Sequence, residues 1–191
     1  MPGTGIEIAG QVIGVMAMAL IVLSFQCKKR AGFYVMQMSG NVLFAVSFLM
    51  LGNVGASLMN LMGVFRAIIL LLPERRRKIW HLVLINLLFV GGAVFAGTVG
   101  GDGWACLVSF AAQTAGTFSL WYGSDRAVRW VQLCIISPLW ITNNTVFTTP
   151  PAIGGIICEA FCMVSTIVYL VRMKIEEKKL QGACQTQEND V

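Results

Sequence analysis

The stretch SLMNLMGVFRAIILLL, residues 57–72, is apolar enough to sit in lipid, yet Arg66 stands well inside it. An arginine at the centre of a membrane-spanning helix costs about 2.5–3.5 kcal/mol even on the lenient insertion scale. Such a residue turns to protein, water or a counter-charge rather than to lipid. Pro73 ends the run, and Arg75, Arg76, Arg77 and Lys78 follow it as a basic anchor.

The whole chain has the same character. Of its 191 residues 57% are hydrophobic and 12% charged, with mean hydropathy +0.74. A soluble domain carries about 25% charged residues, so this is an integral membrane protein. Hydropathy marks apolar segments near 6–26, 33–51, 54–72, 79–97, 104–122, 128–147 and 153–172. Each is long enough for a hydrocarbon core of ~30 Å. The polar residues 173–191 form a tail expected to extend the last helix and then lose order.

Charge sidedness fixes the expected orientation. With seven crossings, Lys28, Lys29 and Arg30, the 75–78 run, Arg126 and Arg129, and Arg172, Lys174, Lys178 and Lys179 all fall on one side. The opposite side carries only Glu7 and Asp102. The positive-inside rule then puts the N-terminus outside and the C-terminus in the cytoplasm. No basic region precedes the first segment, so it does not read as a secretory signal. The net charge of +5 is spent on this anchoring, which argues against nucleic acid as a partner.

The chain also reads as a repeat. Shifted by 96, Arg30 falls on Arg126, Leu43-Phe44 on Leu139-Trp140, Ala56 on Ala152, Phe65 on Phe161 and Arg76 on Arg172. Shifted by 93, Ser24-Phe25 falls on Thr117-Phe118. Both triplets start on the same side, so the repeat is parallel, and the fourth segment is the inverting linker. The expected fold is an all-α membrane protein of seven transmembrane helices in a 3+1+3 parallel repeat. Its parts are a first triple-helix bundle (1–72), a linker helix with its loops (73–103), a second triple-helix bundle (104–172) and the polar cytoplasmic tail (173–191).

The Ser24-Phe25-Gln26-Cys27-Lys28-Lys29 junction, Asn41-Val42-Leu43-Phe44, Leu51-Gly52, Met59-Asn60 with Arg66, and Ser137-Pro138-Leu139-Trp140 leading to Glu159 resemble the YgjV family of bacterial inner-membrane proteins. The plan resembles the wider SWEET/PQ-loop superfamily. The resemblance implies a multi-pass protein of the bacterial inner membrane and transport of a small solute. It also implies hinge prolines in the first two spans of each bundle. Here only Pro138 occupies such a place, and Gln26 lacks the proline of a PQ motif.

Arg66 and Glu159 are the leading candidates for a central site. Gly63 and Arg66 share a face of the third span, and Gly155, Glu159 and Cys162 share the matching face of the seventh. The two charges are expected to lie roughly 5–8 Å apart in depth. They form either a solute or proton site, or an ion pair locking the bundles. Trp140 with Asn143 and Asn144 offers an aromatic bed with amides, or else packs the bundle and caps its helix. Asn60, Gln37, Asn41, Gln113 and Thr117 line a cavity or join helices by hydrogen bonds.

The expected substrate-binding residues are thus Arg66, Glu159, Asn60, Trp140 and Asn143. No catalytic triad, phosphate loop or metal-ligand spacing occurs, so an enzyme is not expected, nor a cofactor or metal. Cys158 and Cys162 read as packing residues and His81 as an interfacial one. Expected partners are the lipid bilayer, a small polar solute and, as an open alternative, a second copy of the chain. The competing functional reading is a non-transporting membrane protein that binds lipid or a partner subunit, with Arg66 and Glu159 as a structural pair.

Overall fold

The computed structural model describes residues 4–24, 27 and 30–189. Phe25, Gln26, Lys28 and Lys29 of the basic junction lie outside the described residues. The described residues form helices and turns. In chain order the helices are α1 (Thr4–Ser24), α2 (Arg30–Met50), α3 (Val54–Leu71), α4 (Ile79–Thr98) and α5 (Cys106–Tyr122). The sixth, α6, runs through Asp125–Val131, a π-helical turn at Gln132–Ile136, and Ser137–Val146. The last, α7, is Ile153–Asn189. Single 3₁₀ turns at Glu74–Arg76 and Gly103–Ala105 precede α4 and α5.

Among the described residues, four stretches are long and apolar enough to cross a membrane: Gly5–Ser24, Val54–Leu71, Ile79–Thr98 and Ile153–Glu177. A shorter apolar run, Tyr34–Met50, lies in α2. Their outward faces are apolar, with Leu49, Phe65, Leu87 and Val164 all more than half exposed. Lipid, not water, suits such faces.

Local sequence sets the ends. Asn53 caps α3, its Oδ1 accepting from the Ala56 N–H at 2.7 Å, after a turn in which Gly52 has φ +78°. A side chain at that φ would be strained. At the other end Leu72 is extended (φ −61°, ψ 143°) because Pro73 disfavours helix in the residue before it. The tail expected to extend the last helix is helical through Asn189. The run Lys174-Ile175-Glu176-Glu177 is rich in good helix formers. Glu177 also forms an ion pair with Arg126 at the start of α6.

Six helices close a ring in the order α1, α2, α3, α5, α6, α7 and back to α1, while α4 lies outside it against α3 and α5. The α1–α7 seam is a crossing of glycines. A Cβ on Gly154 would run into the backbone of Gly14, and one on Gly14 would stand 2.8 Å from Ser47 Oγ. At Gly10, four residues before Gly14 in α1, Ser47 Oγ donates to the backbone carbonyl at 2.8 Å. Small residues at these points let helix backbones approach closely.

At the end of the ring away from the basic loops, polar contacts join neighbouring helices and turns. Gln11 Nε2 donates to Pro151 O (2.6 Å), and its Oε1 accepts from Ile153 N–H (3.0 Å). Asn53 Nδ2 donates to Thr148 Oγ1 (2.8 Å) and Phe147 O (3.2 Å). The Asp102 carboxylate accepts the Gly55 N–H at the start of α3, where the helix dipole favours negative charge. Burial pushes the Asp102 carboxyl above its ordinary 3.8, opposed by the N–H groups of Gly55 and Val54.

Candidate functional site: a charged cavity inside the helix ring

The ring encloses a cavity of about 940 Å³, to which all six of its helices contribute. At the end of the basic loops it is bordered by Tyr34, Arg77, Gly123, Val128 and Arg129. The Arg129 guanidinium lies 4.6 Å from the centre of the Tyr169 ring, a cation–π contact. Trp121 also lines this end, so it faces the interior, whereas Trp80, Trp104 and Trp130 are more than half exposed.

At the far end three aromatic rings line the wall. Phe44 and Phe48 on α2 stack with centroids 5.9 Å apart, and Phe48 stacks on Trp140 of α6 at 6.1 Å. The i, i+4 spacing of the two phenylalanines puts both on the inner face of α2. Trp140 thereby touches the first half of the chain across the ring.

Arg66 lies in the cavity wall between these ends. Its Nη1 donates to Gln113 O (3.3 Å) and Thr117 Oγ1 (3.4 Å), both on α5. Gly116 provides the room: a Cβ there would come 3.3 Å from Nη1. Glu159 on α7 lines the same cavity. Its Oε2 accepts from Ser137 Oγ at 2.6 Å and from Gln132 Nε2 at 3.5 Å. Gln132 Nε2 also donates to Ser137 Oγ (3.0 Å). The direct ion pair, one of the two readings open for Arg66 and Glu159, is therefore not formed among the described residues. The reason is the ring order: α3 is flanked by α2 and α5, and α7 by α6 and α1. Each charge is held by the helix beside it.

The partners of Glu159 mark the π-turn. Ser137 N–H bonds to Gln132 O, five residues back. Pro138 has no N–H to offer Cys134 O, and its ring clashes with that carbonyl. The ladder shifts register just before it, as π-bulges do. Gln132 and Ser137, at the two ends of this turn, both hold one carboxylate oxygen. Gln132 carries no charge and no motif, so the sequence gives no sign of its role.

Of the expected site residues, Arg66, Glu159, Asn60 and Trp140 all line the cavity. Asn143 does not appear in its wall. It is 1% exposed, its carbonyl accepts from Thr148 Oγ1 (2.9 Å), and its Nδ2 has no partner. The neighbouring Asn144, four residues from Trp140 and so on its face, lines the cavity instead. Gln37, Asn41 and Gln113 also border it, and Gln37 additionally bridges to Ser24 Oγ of α1 at 2.9 Å. His81 sits at the start of α4 beside the basic 75–78 run, stacked on Trp80 at 3.7 Å. Cys158 and Cys162 are free thiols in the cavity wall.

Apolar helices enclosing a cavity that carries opposite charges define a multi-pass membrane protein with a polar interior. Comparison with protein families makes the assignment more specific. Residues 8–177 match the Imp-YgjV family of bacterial inner membrane proteins, and the chain belongs to that family. It resides in the bacterial inner membrane. No curated protein and no solved structure matches the chain.

Proposed function

We propose that the protein carries a small polar solute across the inner membrane by alternating access, in the manner of SWEET proteins. The observation that carries this reading is the cavity itself. A volume of about 940 Å³ inside a membrane protein, with two opposite charges that do not neutralise each other, suits binding of a solute better than passive packing.

Three further features support it. The ring order maps onto itself when α1 exchanges with α5, α2 with α6 and α3 with α7, as a 3+1+3 parallel repeat requires. The cavity borders the basic loops, which positive-inside reasoning puts in the cytoplasm, while hydrogen bonds tie the other end shut. The π-turn at Gln132–Ile136 beside Pro138 supplies a joint in α6 where the proline pattern alone offers few. Movement of the two triplets about the Gly14–Gly154 crossing would expose the cavity to the other side.

The test is uptake of labelled small metabolites by proteoliposomes containing the purified protein. Wild type is expected to give saturable flux, and Arg66→Ala to lower it about tenfold or more, because the cavity loses its cation. No saturable flux across a broad panel overturns the reading. A second reading, a non-transporting protein that binds lipid, draws support from an apolar groove of about 370 Å³ between α4 and α5. Leu82, Val83, Leu87, Val90 and Phe118 line it. Absence of flux together with co-purified lipid would favour that alternative.

A further inference from the structure

We propose that the solute is a small aminocarboxylate zwitterion, its carboxylate held by donors gathered over Gly63 and its ammonium by Glu159. This rests on the solute-carrying reading and names the substrate class of the same cavity.

The first observation is a convergence of nitrogens at one point. Gly63 has no side chain, and the position its Cβ would fill lies 3.4 Å from Asn41 Nδ2, 3.6 Å from Gln113 Nε2 and 3.9 Å from Arg66 Nη2. These groups come from three helices, α2, α5 and α3. The side-chain amides of Asn41 and Gln113 donate to no acceptor among the described residues, and neither do Nη2 and Nε of Arg66. Only Nη1 is committed. The Nε–Nη2 edge is the fork that takes a carboxylate through two parallel bonds. Three donor nitrogens from three helices facing one point suit an oxyanion, which can accept from all of them at once.

The second observation is the open valence of Glu159. Its Oε2 accepts from Ser137 and Gln132, while Oε1 accepts from nothing among the described residues. A solute with only a carboxylate would face Glu159 as a like charge in the same cavity. A bare amine would face Arg66, with Arg77 and Arg129 at the entrance. A zwitterion meets both requirements. The two entrance arginines would draw its carboxylate end in first. A neutral sugar would leave both charges unanswered.

Gly63→Ala is the diagnostic variant. The new methyl meets its neighbours at ordinary contact distances and suits a helix better than glycine, but it occupies the point where the donors converge. The full-length purified protein is tested with the common L-α-amino acids one at a time. Each is compared with its deaminated acid and its decarboxylated amine, and glucose is included. The readouts are the unfolding temperature in detergent and radiolabelled uptake into proteoliposomes.

At least one amino acid is expected to raise the unfolding temperature and to enter, while its acid and amine counterparts do neither. Gly63→Ala is expected to keep the solute-free unfolding temperature and to bind roughly tenfold or more weakly. Asn41→Ala is the second variant should Gly63→Ala fail to fold, with a loss in the same direction. Flux of glucose or of a bare carboxylate instead overturns the zwitterion assignment and leaves the transport reading intact. Wild-type affinity in Gly63→Ala or in Asn41→Ala overturns the Gly63 notch. No flux of any probe overturns both the assignment and the transport reading.

Discussion

Arg66 and Glu159 stand in one cavity but answer to different helices, and this separation is testable at the level of single side chains. If they formed one ion pair, exchanging them would restore what each reversal destroys. With Arg66 held by Gln113 and Thr117, and Glu159 by Ser137 and Gln132, an exchanged glutamate at 66 meets the Gln113 carbonyl, an acceptor facing an acceptor, and an exchanged arginine at 159 meets no carboxylate. Arg66→Glu with Glu159→Arg is therefore expected to be no more stable than the worse single variant, by thermal unfolding in detergent. Full rescue would show direct pairing. Asp102 gives a second residue-level prediction. Burial raises its folded pKa above the unfolded value near 3.8. Its contribution to stability is thus fully present below that unfolded value and is lost as pH rises through the raised folded value. Asp102→Asn removes this dependence. The difference in unfolding temperature between wild type and Asp102→Asn is expected to shift against wild type as pH rises from about 4; a pH-independent difference would contradict the assignment.

At the scale of elements, the π-turn joins the helix backbone to the charge chemistry. Proline inside a helix costs about 3 kcal/mol or more, so Pro138→Ala is expected to leave stability unchanged or higher. Straightening α6 would pull Gln132 and Ser137 out of step with Glu159, and flux is expected to fall while the unfolding temperature does not. A stable Pro138→Ala with unchanged flux would remove the π-turn from the mechanism. The α1–α7 crossing behaves in the opposite way: Gly154→Ala forces a methyl into the backbone of Gly14. It is expected to destabilise by about 1–3 kcal/mol, as overpacking does. These elements also show what a sequence can disclose. The span limits are legible because apolar runs end at Asn53, Pro73 and the basic clusters, and the expected 54–72 stands beside the observed Val54–Leu71. The glycine pair at Gly10 and Gly14 is legible from its spacing. The rotation of each helix is harder to read, because helices apolar all round have no strong inner face. That is why Asn143 rather than Asn144 was expected in the cavity, and why two charges on matching faces looked like partners. The π-turn leaves only Pro138 as its trace, and Gln132 leaves none.

The whole molecule is asymmetric along the ring axis. One end of the cavity is bordered by Arg77, Gly123 and Arg129, and the other is tied by Gln11 to Pro151 and Ile153, and by Asn53 to Thr148 and Phe147. Each such hydrogen bond contributes about 0.5–1.5 kcal/mol net. Under the proposed alternating access, these ties contribute on the order of a few kcal/mol to the cost of opening that end. Cys162 in the cavity wall is a native reporter of which end is open. In a variant keeping Cys162 as its sole cysteine, a membrane-impermeant maleimide is expected to react in vesicles that present the basic loops to the reagent. Vesicles of the opposite orientation are expected to react slowly or not at all. Adding Gln11→Ala and Asn53→Ala to that variant removes the ties, shifts the population, and is expected to raise labelling from the far side several-fold. Equal labelling from both sides before the ties are cut would mean a channel rather than an alternating carrier. No gain after cutting them would mean that the seal lies in the Phe44–Phe48–Trp140 stack rather than in the turns above it.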